Sequence, residues 1–196
     1  MSARRATRDP VLKGFPPIID RGVEILILGS FPSVASLARR QYYGHPQNQF
    51  WRLLGAVIGE PLQDMQYERR KRTLLEHRIG VWDVIDRCRR NGSLDGDIRD
   101  PRHNAFARVL ARAPRLRRVC FNGKTSGRQE PLFRDRYETL LLPSSSPAYT
   151  LSFDEKLEQW RRIVSPRRSV RRAGASGAAL PPRASRSTLH ASRHQC

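Results

Sequence analysis

A short apolar run, Val23-Glu24-Ile25-Leu26-Ile27-Leu28, ends at Gly29. Its length and β-branched content predict a buried parallel strand. Phe50, Leu53, Leu54, Val57 and Ile58 then fall at i, i+3, i+4, i+7 and i+8, the stripe of an amphipathic helix, with Asn48 in the N-cap position. A basic, polar helix follows over 66–78, and Ile79 to Ile85 reads as a second strand. Phe106, Val109, Leu110 and Ala113 form another helical stripe, stopped by Pro114. Arg118 to Phe121 is a third strand and Thr139 to Leu142 a fourth. The last helix opens on a capping box, Ser152-x-x-Glu155, and is expected to bury Leu157, Trp160 and Val164. Strands alternating with helices predict an α/β layered fold around a mostly parallel four-stranded sheet flanked by helices. The working site of such a sheet lies at the carboxyl ends of its strands.

Composition divides the chain unevenly. The formal charge is +19, from 37 basic and 18 acidic residues. Only Lys13, Lys71, Lys124 and Lys156 are lysines, so the excess is arginine. The last acidic residue is Glu158, and 166–196 holds seven arginines among Ser, Ala, Gly and Pro. That stretch has too few large apolar groups to offset its ordering entropy and is expected to be a disordered basic tail. Residues 1–21 are expected to be an N-terminal extension, and 22–165 the folded domain. Without the tail, 30 basic groups still face 18 acidic ones. A polyanion, most simply nucleic acid, is the partner such a surface suits. No apolar run reaches the roughly 20 residues that a membrane helix needs. Cys88, Cys120 and Cys196 are far apart and include no CxxC pair, so neither a structural zinc nor a four-thiolate iron–sulfur site is expected, and a reducing cytosol fits best. These features fit a cytoplasmic, nucleoid-associated monomer with no metal and no cofactor.

Four loops gather at the strand ends. Gly29-Ser30-Phe31-Pro32-Ser33 follows strand one, and Asn122-Gly123-Lys124-Thr125 follows strand three. Leu142-Pro143-Ser144-Ser145-Ser146-Pro147-Ala148 follows strand four, while Tyr42-Tyr43-Gly44-His45-Pro46-Gln47-Asn48 leads into the second helix. None carries a carboxylate pair, a metal-spaced cluster or a P-loop, which argues against glycosidase-type acid–base chemistry and metal hydrolysis. The groups present suit a planar, uncharged ring. Phe31 can stack on it, Asn122 can present donor and acceptor together, and backbone N–H groups near Gly29 and Ser30 can meet a carbonyl. The serine run and the arginines suit phosphates and groove edges. Together they describe an enzyme that draws a base out of nucleic acid into a pocket.

Five segments in order carry a family resemblance. They are GSFPS at 29–33, YYGHPQNQFW at 42–51, IGVWDVIDRCRRNGSLDGDIRD at 79–100, FNGKT at 121–125 and LPSSSPA at 142–148. The chain resembles the uracil-DNA glycosylase superfamily over about 22–164, and within it most the hypoxanthine-DNA glycosylase branch. The resemblance implies a three-layer sandwich and hydrolysis of the N-glycosidic bond of a flipped, deaminated base, hypoxanthine or uracil, in DNA. Phe31 stands where other branches place an Asp or Asn that positions the attacking water. The resemblance therefore gives that role to Asn48. It implies base contacts from Gly29, Ser30, Phe31, Tyr43 and Asn122, and DNA contacts from Ser33, Lys124, Ser144, Ser145, Ser146 and Pro147. Serines at 144–146 replace the His that several branches carry in that loop, so no imidazole electrophile is available there.

Each of these residues also has a purely structural reading. Asn48 serves equally as a helix cap, Phe31 as a core aromatic, Asn122 as half of an Asn-Gly turn, and 144–146 as an ordinary loop. Asp83, ending the second strand, can brace the loops without touching substrate. The rival function class is a non-catalytic nucleic-acid-binding module on the same fold, and a free-nucleoside hydrolase is a third.

Overall fold

The computed structural model describes residues 10–165. Its centre is a four-stranded parallel sheet in the order β3-β2-β6-β7, built from β2 (Ile25–Gly29), β3 (Ile79–Asp83), β6 (Arg118–Asn122) and β7 (Glu138–Leu142). Residues of β2, β3 and β6 are buried throughout, as strands covered on both faces must be. The register sets Gly29 beside Asp83 and Asn122 beside Leu142, so these strand ends share one level.

Helices α1 (Val34–Arg39), α2 (Phe50–Ile58), α3 (Tyr67–Glu76), α4 (Phe106–Leu110), α5 (Lys124–Gly127) and α6 (Phe153–Trp160) flank this sheet. The apolar stripe of α2 buries Phe50, Leu53 and Leu54. Phe50 meets Trp160 of α6 edge-to-face at 5.6 Å. A second aromatic cluster joins Trp82, Phe106, Phe133 and Phe121, with centroids 5.0–5.7 Å apart in T-shaped pairs. The α6 capping box forms as expected, Ser152 and Glu155 exchanging side-chain and backbone bonds. Arg118 is buried inside β6 yet fully engaged. It is bidentate to Glu138 at 2.9–3.0 Å and donates to the carbonyls of Arg162, Ile163 and Ser165. The end of the described chain is thereby tied to the sheet.

Several expectations need correction. The run Ile79–Ile85 is not one strand. The chain turns at Val84, whose N–H donates to the Gly29 carbonyl, and β4 (Ile85–Arg89) leaves for a second sheet. That sheet is antiparallel, in the order β1-β4-β5, with β1 at Val11–Lys13 and β5 at Arg99–His103. Its outer strands are short and exposed, so they leave no apolar period. Part of the segment expected to be an N-terminal extension is thus built into the fold: β1 pairs with β4, Ile18 bridges to Val81, and Ile18 and Ile19 are buried. The N-cap of α2 is Gln49, which makes no side-chain cap bond. Asn48, one residue earlier, does that work, its Oδ1 accepting from the Phe50 N–H at 2.9 Å. Val164 is exposed and Ile163 is buried instead, because the chain tightens into a 3₁₀ turn after Trp160. The proposed tail, 166–196, lies outside the described residues.

Candidate active site

The strand ends open into a cavity of about 540 Å³, within the usual range of small-molecule sites. Eleven of the twelve sequence-predicted site residues line it: Gly29, Ser30, Phe31, Ser33, Tyr43, Asn48, Asn122, Lys124 and Ser144 to Ser146. Pro147 does not line it, and sits exposed on the adjoining loop.

Local geometry gives each residue a distinct status. Asn122 holds Ser145 from both sides, donating to its Oγ and accepting from its N–H, each at 2.8 Å. One amide hydrogen and one lone pair of Asn122 are left by these two bonds. Ser145 in turn accepts the Gln49 N–H at 3.0 Å, joining the serine loop to the start of α2. Lys156, buried on α6, completes the brace by donating to Gln49 Oε1 at 2.9 Å and to the Tyr149 carbonyl at 2.8 Å. Ser144 packs on Gly123, whose φ of 97° strains any other residue and where an added Cβ would lie 3.1 Å from Ser144 Cβ. Ser146 accepts the Ala148 N–H. Ser33 is the N-cap of α1, accepting from the Ser36 N–H at 3.2 Å. That helix lacks a regular apolar stripe and so leaves no periodic signal in the sequence. Lys124 is exposed on the first turn of α5.

The two aromatics are positioned differently. Phe31 is buried at the wall, with the Arg90 guanidinium 5.2 Å from its ring centre. Arg90 is itself buried and donates to the Pro32 carbonyl, while its Nε and Nη1 have no partner. Tyr43 adopts a left-handed backbone (φ 52°), and its ring stacks on Phe50 at 3.7 Å. One ring face is therefore already covered, and what Tyr43 brings to the cavity is its hydroxyl.

That hydroxyl and Asp83 form the floor. Both Tyr43 Oη and Asp83 Oδ2 are buried without a hydrogen-bond partner. A Cβ at position 29 would lie 2.4 Å from Asp83 Oδ1 and 2.7 Å from Tyr43 Oη. Only glycine lets these two groups converge on the end of β2. Burial raises the Asp83 pKa to about 7, with Asp95 adding to the rise and Arg90 partly opposing it. Burial likewise raises the Tyr43 phenol well above its ordinary value, with Asp83 adding to the rise and the nearby Asn122 side chain partly opposing it, although Asn122 makes no full hydrogen bond to the Tyr43 hydroxyl. Asp83 was legible in sequence only as a carboxylate ending an apolar run; its lack of a partner is a tertiary fact. The far wall comes from a polar segment with no apolar period to mark it. Ser93, Leu94 and Asp95, between β4 and β5, line it, and Ser30 Oγ donates to Asp95 Oδ1 at 2.7 Å.

A family model described as the Uracil DNA glycosylase superfamily matches residues 16–164. The chain belongs to the uracil DNA glycosylase superfamily. Among its relatives is a protein of Methanosarcina acetivorans named hypoxanthine DNA glycosylase. It is 47% identical over 154 residues, covering 78% of this chain and 98% of the relative. A second protein of that name, from Methanosarcina barkeri, is 48% identical over 149 residues, covering 76% and 94% respectively. A solution NMR structure from M. acetivorans, of a protein assigned provisionally as a uracil DNA glycosylase, superposes with a TM-score of 0.69. It is 46% identical, and the match covers 79% of this chain and 99% of that one. Among the described residues of this glycosylase-family chain, no cluster of His, Cys, Asp or Glu could hold a metal ion. No helix among them is long and apolar enough to cross a membrane.

Proposed function

We propose that the protein is a monofunctional DNA glycosylase that excises a deaminated base, hypoxanthine first and uracil second, at the start of base excision repair. The observation that carries the reading is a pair of buried polar atoms, Asp83 Oδ2 and Tyr43 Oη, that make no hydrogen bond among the described residues and lie on the floor of a cavity at the strand ends. Buried polar groups left unpaired are costly, and a bound base with matching hydrogen-bond groups removes that cost. The names of the two relatives support hypoxanthine as the ligand.

Hypoxanthine and uracil share a lactam edge, an N–H beside a C=O. A neutral Asp83 carboxyl matches that edge with one acceptor and one donor. Its pKa, raised to about 7 by burial, keeps the proton on at mildly acid pH and leaves a share of the carboxyl neutral near pH 7. The flipped base lies against Phe31, with the remaining hydrogen of Asn122 and the Tyr43 hydroxyl as further donors. As the C1′–N bond breaks, its electron pair leaves on the base, and these donors stabilise the charge that builds there. Asn48 spends one lone pair on Phe50 and keeps its amide hydrogens and second lone pair to hold water near C1′. The water oxygen bonds to C1′ and its proton passes to solvent. The Ser144–Pro147 loop and Lys124 contact the DNA around the extruded nucleotide. Deaminated bases pair poorly, so extruding them costs less than extruding a normal base.

The test is incubation with duplexes containing deoxyinosine, deoxyuridine or only normal bases, with free base measured by chromatography. Release of hypoxanthine from the deoxyinosine duplex is the expected result. Tight binding of that duplex with no base released would instead mark a binding module.

A further inference from the structure

The second sheet carries an unusual arrangement of charge. Its register sets Lys13 opposite Arg87 and Val11 opposite Arg89, and across the β4–β5 pairing, whose register shifts between Ile85 and Arg87 and again between Arg87 and Arg89, Arg87 opposite Arg102 and Arg89 opposite Arg99. Residues directly opposite one another in an antiparallel pair project from the same face. The intervening Leu12–Cys88 pair points the other way, and Cys88 is buried there. One outward face therefore holds Lys13, Arg87, Arg89, Arg99 and Arg102. Like charges directly opposite one another destabilise a sheet. Compensation inside the protein is partial. Arg87 pairs with Asp86 at 2.8 Å, Arg89 with Asp100 at 3.8 Å, and Arg99 donates to the Gly96 and Ile98 carbonyls. The side chains of Lys13 and Arg102 make no ion pair or hydrogen bond among the described residues and are exposed.

This face adjoins the cavity in the chain. The segment joining β4 to β5 supplies Ser93, Leu94 and Asp95 to the cavity wall. Its Ser93 Oγ accepts the Val34 N–H at 3.1 Å, and its Asp95 accepts from Ser30. The sheet is thus anchored to the loop that follows β2.

We infer that the outer face of the β1-β4-β5 sheet binds the phosphate backbone of the duplex flanking the nucleotide held in the cavity. A row of cations, each with its strand neighbour also cationic, suits a polyanion whose charges recur at short spacing. This rests on the reading that DNA is the substrate, and it adds a contact surface outside the cavity.

The experiment measures the affinity of a fluorescein-labelled deoxyinosine duplex across a salt series, for the wild-type protein and two double variants. Lys13→Ala with Arg102→Ala removes the two cations of this face that make no ion pair or hydrogen bond among the described residues. Arg112→Ala with Arg115→Ala removes two exposed charges before β6, at the opposite end of the strands from the cavity. The first variant is expected to flatten the slope of log K against log salt by about 1.8, at roughly 0.9 per phosphate contact. The second is expected to leave the slope unchanged. Thermal melting should show the first variant at least as stable as wild type, since it relieves like-charge opposition. Equal slopes for all three proteins, or equal flattening by both variants, would overturn the surface. Base release measured in parallel reports separately on the catalytic reading. A flattened slope in a protein that releases no hypoxanthine would sink that reading and leave this surface standing.

Discussion

Replacing Asp83 with Asn isolates the energetic cost of the cavity floor. The carboxyl has an ordinary pKa of 3.8 and reaches about 7 in the folded protein because burial disfavours its charge. A carboxyl that holds its proton more tightly when folded stabilises the fold fully below the unfolded value. That stability is lost as pH rises towards the folded value. Between about pH 4 and 7 the loss runs at about 1.4 kcal/mol per pH unit, about 4 kcal/mol in all as an order of magnitude. Asn keeps the shape and cannot ionise. Urea denaturation of both proteins at pH 5 and at pH 8.5 should therefore show Asp83→Asn gaining on wild type by a few kcal/mol at the higher pH. Taking the difference between the two proteins cancels every other titrating group. Base release should follow the same ionisation. Wild-type activity on a deoxyinosine duplex should fall as pH rises through about 7. The Asn variant, whose amide also offers one donor and one acceptor, should lack that fall. A stability difference that does not change between the two pH values would refute the assignment of an unpaired, proton-holding Asp83.

Three further outcomes follow from the geometry. Asn48→Ala should abolish base release while costing about 1 kcal/mol of stability, the worth of its bond to the Phe50 N–H; full activity in the folded variant would remove Asn48 from the chemistry. Gly29→Ala should destabilise by roughly 1–3 kcal/mol, because the new methyl overlaps Asp83 and Tyr43, and should close the floor to a base; wild-type melting and turnover would contradict the packing. Lys156→Met leaves Gln49 Oε1 and the Tyr149 carbonyl without their donor, at about 1–3 kcal/mol, and should speed amide hydrogen exchange in the serine loop without moving exchange in β2. An unchanged exchange rate at Ser145 and Ser146 would show that the loop does not depend on this brace.

Sequence pattern alone determined the central architecture. The apolar runs at 23–28, 118–121 and 139–142 and the helical stripe from Phe50 each encode their element locally, and each formed close to where the period placed it, whereas the run 79–85 stays in the central sheet only as far as Asp83. The capping box at Ser152 and the small-residue loops at the strand ends are local signals too. Eleven residues named from those loops meet in one cavity, because a parallel sheet brings all its carboxyl ends to one edge. What pattern could not show is whatever depends on a distant partner. The β1-β4-β5 sheet is held by pairing between segments up to 78 residues apart, with too few apolar positions to leave a period. The isolation of Asp83 and Tyr43 arises because Gly29 has no side chain and β3 lies in register beside β2. Asn122 read as a free amide in the sequence, and tertiary contact gave half of it to Ser145. Hydrophobic period is written residue by residue along the chain. A hydrogen bond left unmade, or two cations set face to face, exists only once separate segments have been brought together.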